Sequence, residues 1–150
     1  MEEYLETTVD KFTFRVPTDR SYSSEGIWVK VQADGRVRVG VADYLQQHSG
    51  DVAFVTVKPV GTALRMKDDL AELETVKVNL VLPSPVSAKI VEVNPALDKT
   101  PEVVNQDPHG RGWLAVLAPS NWQKEKGNLL EPSAYFSVMQ GQVEREIKKT

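Results

Sequence analysis

The sequence predicts a mainly β protein, a small antiparallel sandwich or flattened barrel, with short helices and a C-terminal amphipathic helix. Three observations carry this. Short runs rich in β-branched and aromatic residues recur along the chain with turn signals between them. Arg36-Val37-Arg38-Val39-Gly40-Val41 alternates strictly, as a strand buried on one face does. A short repeat, Val55-x-Val57-x-Pro59 and Val91-x-Val93-x-Pro95, is followed each time by an Ala-Leu pair, Ala63-Leu64 and Ala96-Leu97. Its midpoint falls at Thr75, so two similar β units would be related about a hairpin there.

The elements follow in order. Residues 1–21 read as an N-terminal extension in which Thr13-Phe14-Arg15-Val16-Pro17 forms a short edge strand, where a proline is tolerated. Asp19 to Glu25 is polar and turn-like. Ile27 to Val31 is a strand, and Ala33-Asp34-Gly35 turns it into the alternating strand 36–41. Ala42 to His48 has helical spacing, with Gly50 placed to stop it. Val52 to Val57 is the next strand, ended by Lys58-Pro59-Val60-Gly61. Leu70 to Val81 reads as strand, turn, strand, and Ser87 to Asn94 as another strand closed by Pro95. Asp98 to Val104 reads as a short helix and Gly112 to Leu117 as the last strand. From Pro132 onward Ala134, Phe136, Val138, Met139, Val143 and Ile147 recur at helical spacing, with Ser133 as cap, which predicts a helix over 132–149.

The 150 residues, 41% hydrophobic and 26% charged, suit one domain spanning 1–150. There is no cysteine, hence no disulfide framework and no thiolate nucleophile or metal ligand; any thiol chemistry must come from an attached group. A net charge of −3 with scattered basic residues argues against a nucleic-acid partner. Arg145 to Lys149 alternates with Glu144 and Glu146 and reads as a solvated helix face. Met1 to Glu6 is acidic where a secretory leader is basic and then apolar, and no apolar run is long enough to span a membrane. The expectation is a cytoplasmic protein with no membrane partner.

Around Leu73-Glu74-Thr75-Val76-Lys77-Val78-Asn79-Leu80-Val81 the chain reverses without Gly or Pro, against the usual demand of tight hairpins. Lys77 at such a tip is exposed on a long flexible stem. Exposure alone makes it an ordinary solvated lysine. The other candidate chemistry is thin. His48 and His109 sit in polar, turn-like segments and read as surface histidines. Asp68-Asp69 reads as a charged loop, with a general-acid role as the minor alternative. No His and carboxylate spacing suggests a metal site. Trp28, Trp113 and Trp122 read as packing, Gly110-Arg111-Gly112 as a turn, and Asn105 and Asp107 as its local hydrogen-bonding residues.

From Trp28 to Phe136 the chain resembles the H-protein family of the glycine cleavage system. The motifs are Val39-Gly40-Val41-Ala42-Asp43-Tyr44, Gly50-Asp51-Val52-Ala53-Phe54-Val55, Glu74-Thr75-Val76-Lys77, Ser84-Pro85-Val86-Ser87, Val91-Glu92-Val93-Asn94-Pro95-Ala96-Leu97 and the stretch Pro101 to Leu114. Their order and spacing together are specific. The resemblance implies a barrel-sandwich hybrid, like other lipoyl and biotinyl carriers, with lipoate joined by an amide to Lys77 at a hairpin tip. Glu74, Thr75, Val76, Val78 and Asn79 would be what the lipoyl-attaching enzyme recognises. It further implies a non-catalytic carrier that shuttles an aminomethyl group and reducing equivalents among the glycine decarboxylase, the aminomethyltransferase and dihydrolipoyl dehydrogenase. Biotin is disfavoured, since Met66-Lys67 lacks the second Met of a biotinyl site.

The chain departs from the family in three places. Gly26-Ile27-Trp28 stands for His-Glu-Trp, Val78-Asn79-Leu80-Val81 for a small and acidic run, and Ser87-Ala88 for Ser-Gly. Gly26, Ile27, Leu80 and Val81 are therefore expected to mark an altered docking surface. An H-like lipoate-binding protein that carries sulfur or electrons to a heterodisulfide-reductase-like complex in sulfur oxidation is the alternative. An H-like domain that is never lipoylated is a further one.

Overall fold

The computed structural model describes residues 3–148. Eleven strands lie among them in three antiparallel sheets. The chain opens with a hairpin, β1 (Tyr4–Val9) and β2 (Phe12–Pro17), that forms a two-stranded sheet of its own. Its two-residue turn puts Asp10 and Lys11 at φ 50° and 77°. Both central residues at positive φ are what a turn matched to strand twist requires. Only the β2 half of this hairpin was legible. β1 alternates exposed and half-buried residues, pairs with β2 across that turn and packs against the C-terminal helix.

The six-stranded sheet runs β3 (Ser21–Tyr22), β4 (Ile27–Val31), β5 (Val37–Val41), β11 (Ala115–Pro119), β10 (Ala88–Val93) and β7 (Ala63–Leu64). The three-stranded sheet runs β6 (Val52–Val57), β8 (Asp69–Thr75) and β9 (Asn79–Pro83). The main core lies between these sheets, with Ile27, Val39, Leu70, Leu73, Ile90, Leu114 and Leu117 buried. A second core joins Phe14 and Val16 of the first hairpin to Tyr22, Trp28, Tyr44, Tyr135, Met139 and Val143. The two copies of the short repeat meet: Val55, Val57 and Pro59 face Val93, Pro95 and Leu97 across one cleft. The Ala-Leu pairs differ, being strand in the first copy and helix in the second.

Five α-helices, α1 (Asp43–Ser49), α2 (Ala96–Lys99), α3 (Val103–Gln106), α4 (Trp122–Glu125) and α5 (Pro132–Lys148), and a 3-10 turn over Lys126–Asn128 complete the described chain. The single helix expected over Asp98–Val104 is two separate turns either side of Pro101, which breaks the backbone ladder. The last strand begins at Ala115, because Gly112 and Trp113 are spent on the preceding turn, while Leu114 already bonds the backbone of Val39 and Asn94. α5 begins at Pro132 itself, where a missing N–H costs nothing, and its first ladder bond is received by the Glu131 carbonyl. Ser133 is therefore inside the helix and does not cap it. Its buried stripe is Tyr135, Met139 and Val143, whereas Ala134 and Val138 face outward. The Ile147 side chain and Lys149 lie outside the described residues.

Candidate functional site: a lysine at a hydroxyl-built hairpin tip

β8 and β9 pair through Glu74 opposite Asn79, leaving Thr75 to Val78 to make the reversal. Among the described residues no tip residue has positive φ, so the turn is stabilised in another way. The Thr75 hydroxyl accepts the amides of Lys77 at 3.1 Å and Val78 at 2.8 Å, and it lies 2.7 Å from the Ser49 carbonyl to which it donates. The Thr75 amide donates to the Val78 carbonyl at 2.9 Å and the Val76 amide to the Asp51 carbonyl at 3.0 Å. Every amide of the tip is thus satisfied by one side-chain oxygen and two carbonyls. A threonine hydroxyl replaces the glycine such a turn normally uses. That leaves Val76 80% exposed and Val78 42% exposed, on either side of an exposed Lys77.

The lysine leans back on α1. Its Nζ donates to the His48 carbonyl at 3.1 Å, in the last turn of the helix, where the unpaired carbonyls carry partial negative charge. Gly50 ends α1 at φ 93°, the left-handed region that favours glycine, and lies against the Lys77 stem. A Cβ there would meet the Lys77 Cβ at 3.4 Å on a backbone that L-residues already disfavour.

α1 is held at both ends by the loop 105–112. Asn105 accepts the Val52 amide at 2.8 Å and donates to the Gly50 carbonyl at 3.1 Å and to Gln46 Oε1 at 3.0 Å. At the other end His109 Nε2 accepts the Asp43 amide at 3.1 Å. Burial pushes His109 down to about 4, with Asp43 opposing the shift, so the ring is neutral and able to accept. The Pro108 and His109 carbonyls receive Trp28 Nε1 at 2.9 Å and Arg20 Nη1 at 2.8 Å. Gly112 lets the loop close, since a Cβ would lie 2.6 Å from the Val103 carbonyl oxygen.

These contacts correct several expectations. His109 is a mostly buried structural acceptor, not a surface histidine. Asn105 makes long-range bonds instead of organising its own turn, while Asp107 does act locally on the Arg111 amide. Glu146 is not merely solvated. Its carboxylate pairs with His48 Nδ1 and accepts the Tyr44 hydroxyl, joining the end of α5 to α1. Burial and this carboxylate push the Tyr44 phenol up to about 12.

Of the residues expected at a docking surface, Ile27 is 0% exposed and Gly26 is buried as well, so neither can meet a partner. Ile27 faces inward because it opens β4 opposite Val41, within the main core. Leu80 is half-buried against that core, and Val81, 50% exposed, is the one of the four that presents a side chain. Of the rival lysines, Lys67 is engaged with Glu25 at 2.7 Å and Lys89 lies exposed within β10. No helix is long and apolar enough to cross a membrane, and no group of three or more His, Asp or Glu side chains could hold a metal among the described residues.

The sequence profile described as Glycine cleavage H-protein matches residues 20–142. A protein of Oceanobacillus iheyensis named Glycine cleavage system H protein is 39% identical over 125 residues, covering 83% of this chain and 98% of that one. One of the same name from Coprothermobacter proteolyticus is 46% identical over 100 residues, covering 67% and 79%. Among solved structures, a glycine cleavage system H protein from Mycobacterium marinum superposes with a TM-score of 0.73 at 34% identity, covering 80% of this chain and 95% of that one.

Proposed function

The chain belongs to the glycine cleavage H-protein family, and on that premise we propose that Lys77 carries a lipoyl group as the working arm of a carrier in glycine cleavage. The observation that carries this reading is the tip itself. The family's Glu-x-Val-Lys signature falls where Thr75 locks a rigid reversal and leaves the lysine exposed between Val76 and Val78. A modifying enzyme needs an accessible amine on a platform of fixed shape. Glu74, Thr75, Val76, Val78 and Asn79 supply that platform.

The surroundings fit the group. Amide formation removes the lysine charge and leaves its nitrogen one N–H. One N–H is what the His48 carbonyl accepts, so the root of the arm keeps its place after modification. The lipoyl group supplies thiol–disulfide chemistry that the cysteine-free chain lacks. The residues of this chain hold, orient and present it, and tethering raises its effective concentration at each partner in turn. Members of this family are carriers and not enzymes.

The cargo in this reading is an aminomethyl group and reducing equivalents. The partners are the lipoyl-attaching enzyme, the glycine decarboxylase, the aminomethyltransferase and dihydrolipoyl dehydrogenase, with the cytoplasm as the compartment. The relatives above carry glycine cleavage names, which supports this reading and lends nothing to a sulfur-oxidising one. The test is intact-mass analysis after incubation with lipoate, ATP and a lipoyl-attaching ligase. One lipoyl increment mapped to Lys77 and abolished by Lys77→Arg is the expected result. An increment on Lys67 or Lys89 overturns the assignment.

A further inference from the structure

The family match begins at residue 20, so the β1–β2 hairpin lies outside it. The two long edges of that hairpin differ. The outer edge of β2 is closed by α1: the Arg15 amide donates to Asp43 Oδ2 at 3.0 Å, and the Thr13 carbonyl accepts Gln47 Nε2 at 2.9 Å. The outer edge of β1 is open. The Thr18 amide donates to the Glu3 carbonyl at 2.9 Å, in register with the strand pairs that follow. An antiparallel ladder bonds alternate pairs, so Leu5, Thr7 and Val9 also bond inward to β2. The N–H and C=O groups of Tyr4, Glu6 and Thr8 therefore point away from it, and no other strand pairs with β1 among the described residues. Proteins usually guard such an edge with lysine, proline or a bulge. Tyr4-Leu5-Glu6-Thr7-Thr8-Val9 has none of these, and its pairing runs unbroken.

We propose that this edge pairs with its counterpart in a second copy of the chain, giving a twofold dimer joined through β1. The residues of β1 select that occupant. Outward-pointing groups can bond only to outward-pointing groups, so the twofold axis must pass through a residue, and Glu6 and Thr7 give the longest overlap. An axis at Glu6 sets two like charges directly opposite each other, which is destabilising. An axis at Thr7 sets Glu6 opposite Thr8 of the other copy, Leu5 opposite Val9, and Thr7 opposite itself. Glu6 then keeps its own counter-ion, since Arg15 Nε holds it at 3.0 Å. Leu5 and Val9 already pack against the second core, so pairing them across the axis extends that apolar face. A foreign strand would need the same Val-x-Thr-x-Leu spacing, which β1 supplies by symmetry. A single strand pair falls short of the roughly 20–30 residues a side of a standard interface, so the dimer is weak, with a Kd on the order of 0.1 mM. The inference does not depend on what Lys77 carries.

The experiment follows the full chain by sedimentation equilibrium and amide hydrogen exchange. With that Kd, roughly one chain in seven is dimeric at about 10 µM and roughly four in five at about 1 mM. The weight-average mass is expected to rise over this range from near 16.7 kDa towards twice that value. Exchange of the Glu6 and Thr8 amides is expected to slow roughly fourfold as the dimer fills. Thr8→Pro removes an edge donor that the hairpin itself does not use, and it is expected to stay monomeric throughout. In a mixture of labelled and unlabelled chains, nuclear Overhauser contacts between copies should join the Leu5 and Val9 methyls, a reading that needs no variant. A mass that stays at the monomer value overturns the inference and leaves the edge for a strand of another protein. A dimer that persists in Thr8→Pro, leaves the Glu6 and Thr8 amides unprotected or lacks the Leu5–Val9 contact overturns it as well, because another surface or register then joins the copies.

Discussion

Asn105 and Gly50 are 55 positions apart, yet the Asn105 carboxamide donates to the Gly50 carbonyl at 3.1 Å. The same side chain accepts the Val52 amide at 2.8 Å. It therefore fixes the junction where α1 ends and β6 begins, beside the stem of Lys77. One residue on a distant loop sets where the lysine's platform stands.

Asn105→Ala is expected to strand the Val52 amide and the Gly50 carbonyl, at a cost of about 1–3 kcal/mol for partly buried groups left unsatisfied. A thermal melt should show the midpoint lowered by roughly 3–10 °C, at ~2–4 °C per kcal/mol for a chain of this size. Lipoylation should slow as well, since the tip is anchored to this junction through Ser49 and Asp51. Asn105→Asp keeps one acceptor for Val52 and loses the donor, so it should fall between.

Thr75 gives a sharper separation of chemistry from shape. Thr75→Val keeps the branched side chain and removes the oxygen that accepts the Lys77 and Val78 amides. Those two amides should lose protection from hydrogen exchange, and the rate of lipoyl attachment should drop several-fold. Thr75→Ser retains the hydroxyl and should behave like the parent protein. Equal rates for the Val and Ser variants would remove the hydroxyl from any role in presenting the lysine.

Much of this is legible in the sequence, and the boundary has a physical cause. Strict alternation marks β5, because it reflects burial of one strand face, and β-branched and aromatic runs between turn signals mark β4 and β6. Gly50 as the stop of α1 is legible because a helix end has a local chemical demand. Asn105, His109 and Glu146 were misread for one shared reason. Each acts on a partner at least 50 positions away, and composition near the residue carries no trace of it. Ile27 was misplaced because a substitution between polar family residues reads as a surface change, whereas the β4 register turns that position into the core. The tip was located correctly, but its mechanism, a threonine hydroxyl standing in for glycine, needed the geometry.

The acid response follows from His109. Its folded value is about 4, below the ordinary value near 6.5, because burial disfavours the charged ring. Above about pH 6.5 the ring is neutral folded or unfolded, and its contribution is fully present. Between about 6.5 and 4 the unfolded chain binds the proton first, so stability falls with pH; below about 4 the loss levels off. The shift sets a ceiling of about 3 kcal/mol, less what residual solvent access screens. Urea unfolding at pH 7 and pH 4.5 should show that loss, and His109→Gln, which keeps an acceptor without the titration, should flatten it. An unchanged slope in the Gln variant would assign the acid sensitivity to the carboxylates.

The proposed docking face is testable at Val81, the exposed member of the four residues expected there. Ile27→Glu would bury a carboxylate at a fully enclosed site, and the expected result is a loss of several kcal/mol rather than a change of partner. Val81 is different: it is half-exposed on β9, directly opposite Glu72 of β8. Val81→Asp sets two like charges across the strand pair and should cost about 0.2–1 kcal/mol, whereas Val81→Lys should recover about as much. Both variants should fold, so a change in partner kinetics can be read apart from stability. A basic partner surface would associate a few-fold faster with the Asp variant and slower with the Lys variant at low salt, with the difference shrinking as salt is raised. The measurement is glycine–bicarbonate exchange by the decarboxylase, with each lipoylated variant at concentrations below saturation. Identical rates with Val, Asp and Lys at position 81 would take β9 off the docking face and leave the tip residues Val76 and Val78 as its contact.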